Sequence, residues 1–514
     1  MTKKLVKSTA TVGGMTLLSR VLGFIRDMVV ARIFGAGEGT DAFFVAFKIP
    51  NFMRRLFAEG AFSQSFVPVL SEYKTQRDHN EVKRLADDVA GTFGAILLLI
   101  TIVGVLAAPV LIAIFAPGFL DEPGRYDLAT EMLKLTFPYI FFISLTAFAG
   151  GILNTYGRFG VPAFTPVLLN LVLISCALWL APQMDEPIMA LAWGVFFAGL
   201  AQLLFQFPFL AKLKLLPRPR FDRKNEGVQK IKKLMIPAIF GSSVAQINLL
   251  LDTLIASFLV AGSVSWLYFS DRLVEFPLGV FGIALATVIL PSLSQQHAAA
   301  SGEAFSKTLD WALRWVVLIG TPAMVGLFML AGPMLTTLFQ YGEFSQHDVE
   351  MATRSLMAYA IGLQGFILVK VLSPGFFARQ DTKTPVKIGI IAMVANMVLN
   401  VILVFPLAHA GLALATSLSA FLNAGLLYRI LRREGVYTPE AGWLKLSVQV
   451  LVANCAMAAL LWWGAGDLQQ WFELDGLQRA MQLLLWVAAG GAIYFVSLLV
   501  LGVKFRSLWQ QKNA

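Results

Sequence analysis

Long apolar stretches, each ended by a short run of charged, proline or glycine residues, recur from one end of the chain to the other. They lie near residues 10–34, 41–70, 88–115, 130–154, 161–181, 188–210, 232–260, 265–293, 308–339, 352–377, 385–405, 410–430, 443–463 and 479–502. A helix needs about 20 mostly apolar residues to cross the hydrocarbon core of a bilayer. Each of these fourteen windows is long enough for one crossing. The pattern therefore predicts an all-α polytopic membrane protein with fourteen transmembrane helices. No window of 100 residues escapes it, which leaves no room for a soluble catalytic domain.

Composition agrees: 57% of the 514 residues are hydrophobic and 14% charged, with a mean hydropathy of +0.71, far from the usage of soluble domains. The net charge of +10 comes from inter-helix loops and single residues within spans. It forms no basic domain, so no nucleic-acid partner is expected. One set of alternate loops collects Lys74, Arg77, Lys83, Arg84, Arg158, the cluster from Lys212 to Lys233, Lys307, Arg379, Lys383, Arg429, Arg432 and Arg433. The other set holds Arg125 and otherwise acids, from Glu38 and Asp121 to Glu473 and Asp475. Cytoplasmic loops carry the excess of Lys and Arg, so both termini are predicted to be cytoplasmic. The basic opening MTKKLVKSTATVGG runs into a stretch interrupted by Arg20, Arg26 and Asp27. Those charges exclude a cleaved signal peptide, and the N-terminus is expected to be retained.

The longest basic linker, residues 211–233, divides the first twelve windows into two sets of six. Pro68 and Pro291 stand 223 residues apart in similar surroundings, and so do Pro162 and Pro385. A parallel duplication is implied, with two six-helix lobes related by a pseudo-twofold axis along the membrane normal. The lobes are taken as 1–215 and 216–436, and the last two helices, 437–514, lie outside the repeat.

An arginine at mid-membrane costs about 2.5–3.5 kcal/mol on insertion scales, so it faces a partner or a water-filled cavity. The first window carries Arg20, Arg26, Asp27 and Arg32, and the second carries Asp41, Lys48, Arg54, Arg55 and Glu59 in or beside it. Arg20 and Asp27 are seven apart, as are Ser19 and Arg26, which puts each pair nearly on one line of a helix. The eighth window repeats the theme with Ser265 and Arg272 seven apart and Asp271 and Glu275 four apart. Pinning of helix packing would explain some of these charges. A central cavity for an anion explains more, because the guanidinium fork grips phosphate bidentately and stays charged in a poor dielectric. Asp252, Asn396, Asn400 and Thr416 form a second polar group whose oxygens suit a hard cation such as sodium, or simple interhelical hydrogen bonding. His79, His297, His347 and His409 lack metal spacing and are expected in solvent. Cys176 and Cys455 are expected in the core. GAGEGTD, residues 35–41, lacks the ending of a phosphate loop and reads as a turn. No enzyme and no cofactor are predicted.

Residues 19–73, SRVLGFIRDMVVARIFGAGEGTDAFFVAFKIPNFMRRLFAEGAFSQSFVPVLSEY, resemble the opening of the MurJ (MviN) lipid II flippases. SVSWLYFSDRLVEFPLGVFGIALATVILPSLS, residues 263–294, and KVLSPGFFARQDTKTPVKI, residues 370–388, resemble their second lobe. The resemblance runs over essentially the whole chain and implies membership of the multidrug/oligosaccharidyl-lipid/polysaccharide exporter superfamily. It implies transport of lipid II, the undecaprenyl-diphosphate-linked peptidoglycan precursor, across a bacterial inner membrane by alternating access, for cell-wall synthesis. The last two helices would then form a groove for the lipid tail. It carries substrate contact onto Arg20, Arg26, Asp41, Arg54, Ser265, Arg272 and Glu275, and onto Asp27, Lys48, Asn51, Glu59 and Asp271. The cation group resembles a sodium site of some members, with Asn400 where those members can have an acid. Membrane lipids and the cell-wall synthesis machinery are the implied partners, and a monomer is expected. The competing reading is an ion-coupled exporter of another polyprenyl-linked glycan or of drugs.

Overall fold

The computed structural model describes residues 3–56, 62–222 and 224–503. Every regular element among them is helical. Ten of the described helices are long and apolar enough to cross a membrane, which makes the chain a multi-pass membrane protein. The chain divides into two compact units, Met1–Ser265 and Trp266–Ala514.

The first unit contains α1 (Lys3–Phe34), α2 (Glu38–Arg54), α3 (Ser63–Gln76), α4 (His79–Leu106), α5 (Ala108–Phe115), α6 (Pro123–Thr136), α7 (Tyr139–Thr155), α8 (Gly160–Ser175), α9 (Met189–Lys212) and α10 (Glu226–Ala256), and ends at the start of α11 (Ser263–Pro277). Helix α1 packs on α8, α8 and α7 on α9, α2 on α6, and α10 on α3. Several windows that read as one stretch are broken. The window at 88–115 divides at Ala107, just before Pro109, and the window at 130–154 divides at Phe137–Pro138. Proline lacks the amide donor that a continuing helix needs. Between α9 and α10, residues 215–222 of the basic linker form a non-helical strap tied down by its backbone: Arg218 N donates to Asp87 Oδ1 at 2.7 Å, and Arg220 N donates to the Asp87 carbonyl at 3.0 Å. Gly91 lies directly under the Arg220 backbone, where any β-carbon would collide.

The second unit holds the rest of α11, then α12 (Ile283–Ala298), α13 (Gly302–Trp315), α14 (Thr321–Met329), α15 (Ala331–Phe339), α16 (Gln346–Phe377), α17 (Lys383–Arg433), α18 (Trp443–Ala465), α19 (Leu468–Glu473) and α20 (Gly476–Val500). If straight, the 51 residues of α17 would run about 76 Å at 1.5 Å per residue, far more than the hydrocarbon thickness. Instead the helix turns back at Ala408, after Pro406, with φ 48° and ψ −130° at the corner. Asn396 and Thr416, 20 residues apart, then lie side by side at 3.3 Å. The eleventh and twelfth windows, with a break between 405 and 410, are these two arms. Gly411 sits against the Leu403 carbonyl, where a β-carbon would collide with backbone. Gly411→Ala is expected to lower stability by about 1–3 kcal/mol, as overpacking does. A thermal midpoint equal to the parent's, measured in detergent, would count against this tight return.

The last two long helices are positioned by one apolar stripe. Leu446, Val450, Ala453, Met457 and Leu461 recur at helical spacing on α18 and pack with Tyr494 and Leu498 of α20 against Leu318 and Leu330. The buried Tyr494 hydroxyl donates to the Leu318 carbonyl at 2.7 Å. Opposite faces expose Leu444, Leu451, Trp462, Trp463, Leu477 and Leu484, as helices in contact with lipid do.

Candidate charged site

Two charged constellations stand out in the first unit. In α1, Asp27 is 1% exposed and accepts on Oδ1 from its neighbour Arg26, from Nη2 at 2.6 Å and Nε at 3.0 Å. The remaining nitrogen of the fork, Nη1, donates to Asn170 Oδ1 on α8 at 3.1 Å. The Asn170 amide in turn donates to the Ser19 carbonyl at 3.0 Å. Ser19 and Arg26 share a line of α1, as their spacing of seven predicts, so one asparagine reaches both.

Asp41, in the first turn of α2, is completely buried. Its Oδ2 accepts from Arg125 Nη2 at 2.6 Å and from Gly262 N at 2.8 Å. Its Oδ1 accepts from Ser265 N at 2.8 Å and from the Ser265 hydroxyl at 2.6 Å. A buried carboxylate is tolerated only with charge and hydrogen-bond compensation of this kind. Arg125 is itself buried, stacked over the Phe119 ring at 4.0 Å, with Glu122 at 3.4 Å. Asp41 and Ser265 thus meet each other rather than a solvated face. Together they fasten α2 to the start of α11.

The other expected contacts of this unit are less concentrated. Arg20 is exposed, and Lys48, Asn51 and Arg54 are half-buried. Arg54 Nε donates to Asn51 Oδ1 at 2.9 Å, one turn apart on α2. Glu59 lies outside the described residues. In the second unit Arg272 Nη1 meets Glu275 at 2.8 Å, both partly exposed, and Asp271 is half-buried beside them.

Of the oxygen-rich group, Asp252 belongs to the first unit, whereas Asn396, Asn400 and Thr416 belong to the second. On the two arms of α17, Asn400 Nδ2 donates to Asn396 Oδ1 at 3.0 Å, and Asn396 Nδ2 donates to Thr416 Oγ1 at 3.3 Å. Both asparagines are fully buried. Among the described residues no group of three or more His, Cys, Asp and Glu could hold a metal.

Three readings from the sequence change. Arg125 was grouped with outer-loop residues but is buried in α6 as the partner of Asp41. His409, expected in solvent, is buried against Trp266 with ring centroids 4.9 Å apart, and its Nε2 bonds the Met351 carbonyl at 2.9 Å. The α17 corner turns it inward. Cys176 is buried as expected, but Cys455 is exposed on α18, because an apolar window in a membrane helix has a lipid face as well as a core face. Asn170 had no signal of its own in the sequence.

Long apolar helices that carry buried arginine–carboxylate pairs are a pattern of membrane transport proteins. The fold agrees: an inward-facing multidrug resistance MATE family transporter of the MOP superfamily aligns with a TM-score of 0.65 at 16% identity, over 83% of this chain and 98% of that one. Within that class the chain belongs to the lipid II flippase MurJ family, whose model matches residues 30–482. It is 51% identical to a probable lipid II flippase MurJ of Vibrio cholerae, over 99% of this chain and 98% of the relative. It is 43% identical to the lipid II flippase MurJ of Burkholderia cenocepacia, over 98% of both. A structure of lipid II flippase MurJ in an inward closed conformation aligns with a TM-score of 0.77 at 27% identity, covering 95% of this chain and 99% of that one.

Proposed function

We propose that this protein carries lipid II from the cytoplasmic to the periplasmic leaflet of a bacterial inner membrane, supplying precursor for cell-wall synthesis. The observation that carries this reading is the near-complete alignment, at 43% identity, with a relative named as a lipid II flippase, beside one at 51% named as a probable one. The residues suit that cargo. A diphosphate and peptide carboxylates call for fixed cations, and Arg26 in the first unit and Arg272 in the second each supply a guanidinium fork of that kind. The polyprenyl tail stays in lipid, against the apolar faces of α18 and α20.

In this reading fourteen helices, two six-helix lobes and the final pair work by alternating access, with both termini cytoplasmic. Asp41 acts as a latch. Parting from Gly262 and Ser265 would cost it three hydrogen bonds but leave its pairing with Arg125, so opening strands no bare charge. Membrane potential can supply about 2.3 kcal/mol per charge per 100 mV, and an ion gradient is the other source open to the cycle. A sodium ion on the oxygens of Asn396, Asn400 and Thr416 in the second unit is the proposed coupling ion.

The test is the leaflet location of lipid II in cells rapidly depleted of this protein, read with an added enzyme that cleaves only periplasmically exposed precursor. The uncleaved fraction is expected to rise. An unchanged fraction, with no second flippase present, would refute the reading and favour an exporter of other cargo, which the shared fold alone would allow.

A further inference from the structure

We infer that the strap between α9 and α10 binds the headgroups of anionic phospholipids at the membrane surface, through Arg218, Arg220 and Phe221. The site lies within the first unit and is independent of the cargo. Each arginine follows a proline, Pro217 or Pro219, whose ring fixes φ and supplies no amide donor. The amides of Arg218 and Arg220 are both spent on Asp87 of α4, and Gly91 lies against the Arg220 backbone. The backbone is thereby fixed while the side chains are left outside. Arg218 and Arg220 are exposed, and the Phe221 ring is 72% exposed. Among the described residues neither guanidinium has a hydrogen bond or an ion pair. The neighbouring acids are occupied elsewhere: Asp87 pairs with Lys83, Asp222 with Arg84, Glu226 with Arg77 and Glu72 with Lys230. Lys212, Lys214 and Lys224 add exposed positive charge on either side.

The strap lies where the apolar band of this unit begins. On α4 the polar opening ends with Asp87 and Asp88, and residues 89–106 carry no charge. The strap crosses the helix at that change, over Asp87 and Gly91. Helix α9, long and apolar enough to span a membrane, ends at Lys212, just before the strap. A phosphodiester of the headgroup layer fits this place. A guanidinium binds phosphate oxygens bidentately, and each basic residue near an anionic surface is worth about fivefold in affinity. A phenylalanine at the same level can bury its ring at the boundary of headgroups and acyl chains. The rule that loops on one side collect basic residues accounts for the sign of the charge. It calls for neither a pinned backbone nor a bare aromatic ring beside the arginines.

The experiment places a photoreactive benzophenone amino acid at position 221 of the full-length protein, in vesicles of equal parts phosphatidylcholine and phosphatidylglycerol. Mass spectrometry of the adducts reads which lipid is captured. The same probe at position 484, on the exposed stripe of α20, is the control. Adducts at 221 are expected to favour phosphatidylglycerol about fivefold over its share of the bilayer, and adducts at 484 to follow that share. Arg218→Gln together with Arg220→Gln leaves both amides available to Asp87. The preference at 221 is then expected to fall to within about twofold of the bulk composition, with the thermal midpoint near the parent's. If that double variant does not fold, raising salt from about 0.1 M to about 1 M on the parent takes its place, since the Debye length shrinks from ~10 to ~3 Å; the same loss is expected.

Bulk composition of the adducts at 221 in the parent would overturn the inference. A preference undiminished in the double glutamine variant, or in high salt where that measurement stands in for it, would overturn it as well. Adducts at 221 with protein, or none at all, while position 484 captures lipid would show that the strap does not meet the membrane surface.

Discussion

Arg26→Ala is expected to abolish export of lipid II in cells while leaving the protein inserted at parental levels. The size of the effect follows from the chemistry of the contact. A charged hydrogen bond contributes about 1.5–3 kcal/mol, so loss of a two-bond grip on a diphosphate corresponds to roughly 10²- to 10⁴-fold in affinity. The substitution also takes the adjacent cation from the buried Asp27, so the control is Asp27→Asn added to Arg26→Ala, which removes that carboxylate charge. If transport loss came only from that charge, the double variant would regain export; it is expected to stay inactive. Arg272→Ala should behave alike. Support of growth by both alanine variants at normal expression would refute a cationic grip on the cargo.

The second large effect is on stability. Arg125→Leu removes the cation from a fully buried pair and leaves Asp41 charged without it. Breaking a buried ion pair from one side costs about 3–5 kcal/mol. Asp41→Asn together with Arg125→Leu should recover much of that loss, since replacing both members of such a pair is often close to neutral. Thermal denaturation of the purified variants checks both statements. A midpoint for Arg125→Leu equal to the parent's, or a double variant no better than the single, would show that the Asp41–Arg125 contact carries little energy. The recovered double variant should still transport poorly, because the latch to Gly262 and Ser265 would be held by a neutral amide.

Much of this molecule can be read along the chain, because the cost of placing polar atoms in hydrocarbon acts on each segment locally. The break at 405–410 falls beside Pro406 where two windows meet, whereas the breaks at 107 and 137–138 fall inside single windows, beside Pro109 and at Pro138. The charged residues inside α1 and α11 announced themselves by being expensive where they stand. The spacing of seven between Ser19 and Arg26 even predicted the line along which Asn170 reaches both.

What the sequence determined is the membrane class, the succession of apolar helices and the identity of the costly charges, all set by segment composition and period. The tertiary structure alone decided their partners. Arg125 lies 84 residues from Asp41 and Asn170 lies 144 from Arg26, separations over which no periodicity carries information. It alone turned His409 inward at the α17 corner and left Cys455 exposed on α18. Hydropathy fixes that a residue lies within the membrane layer, but which neighbour compensates its charge depends on how the helices pack.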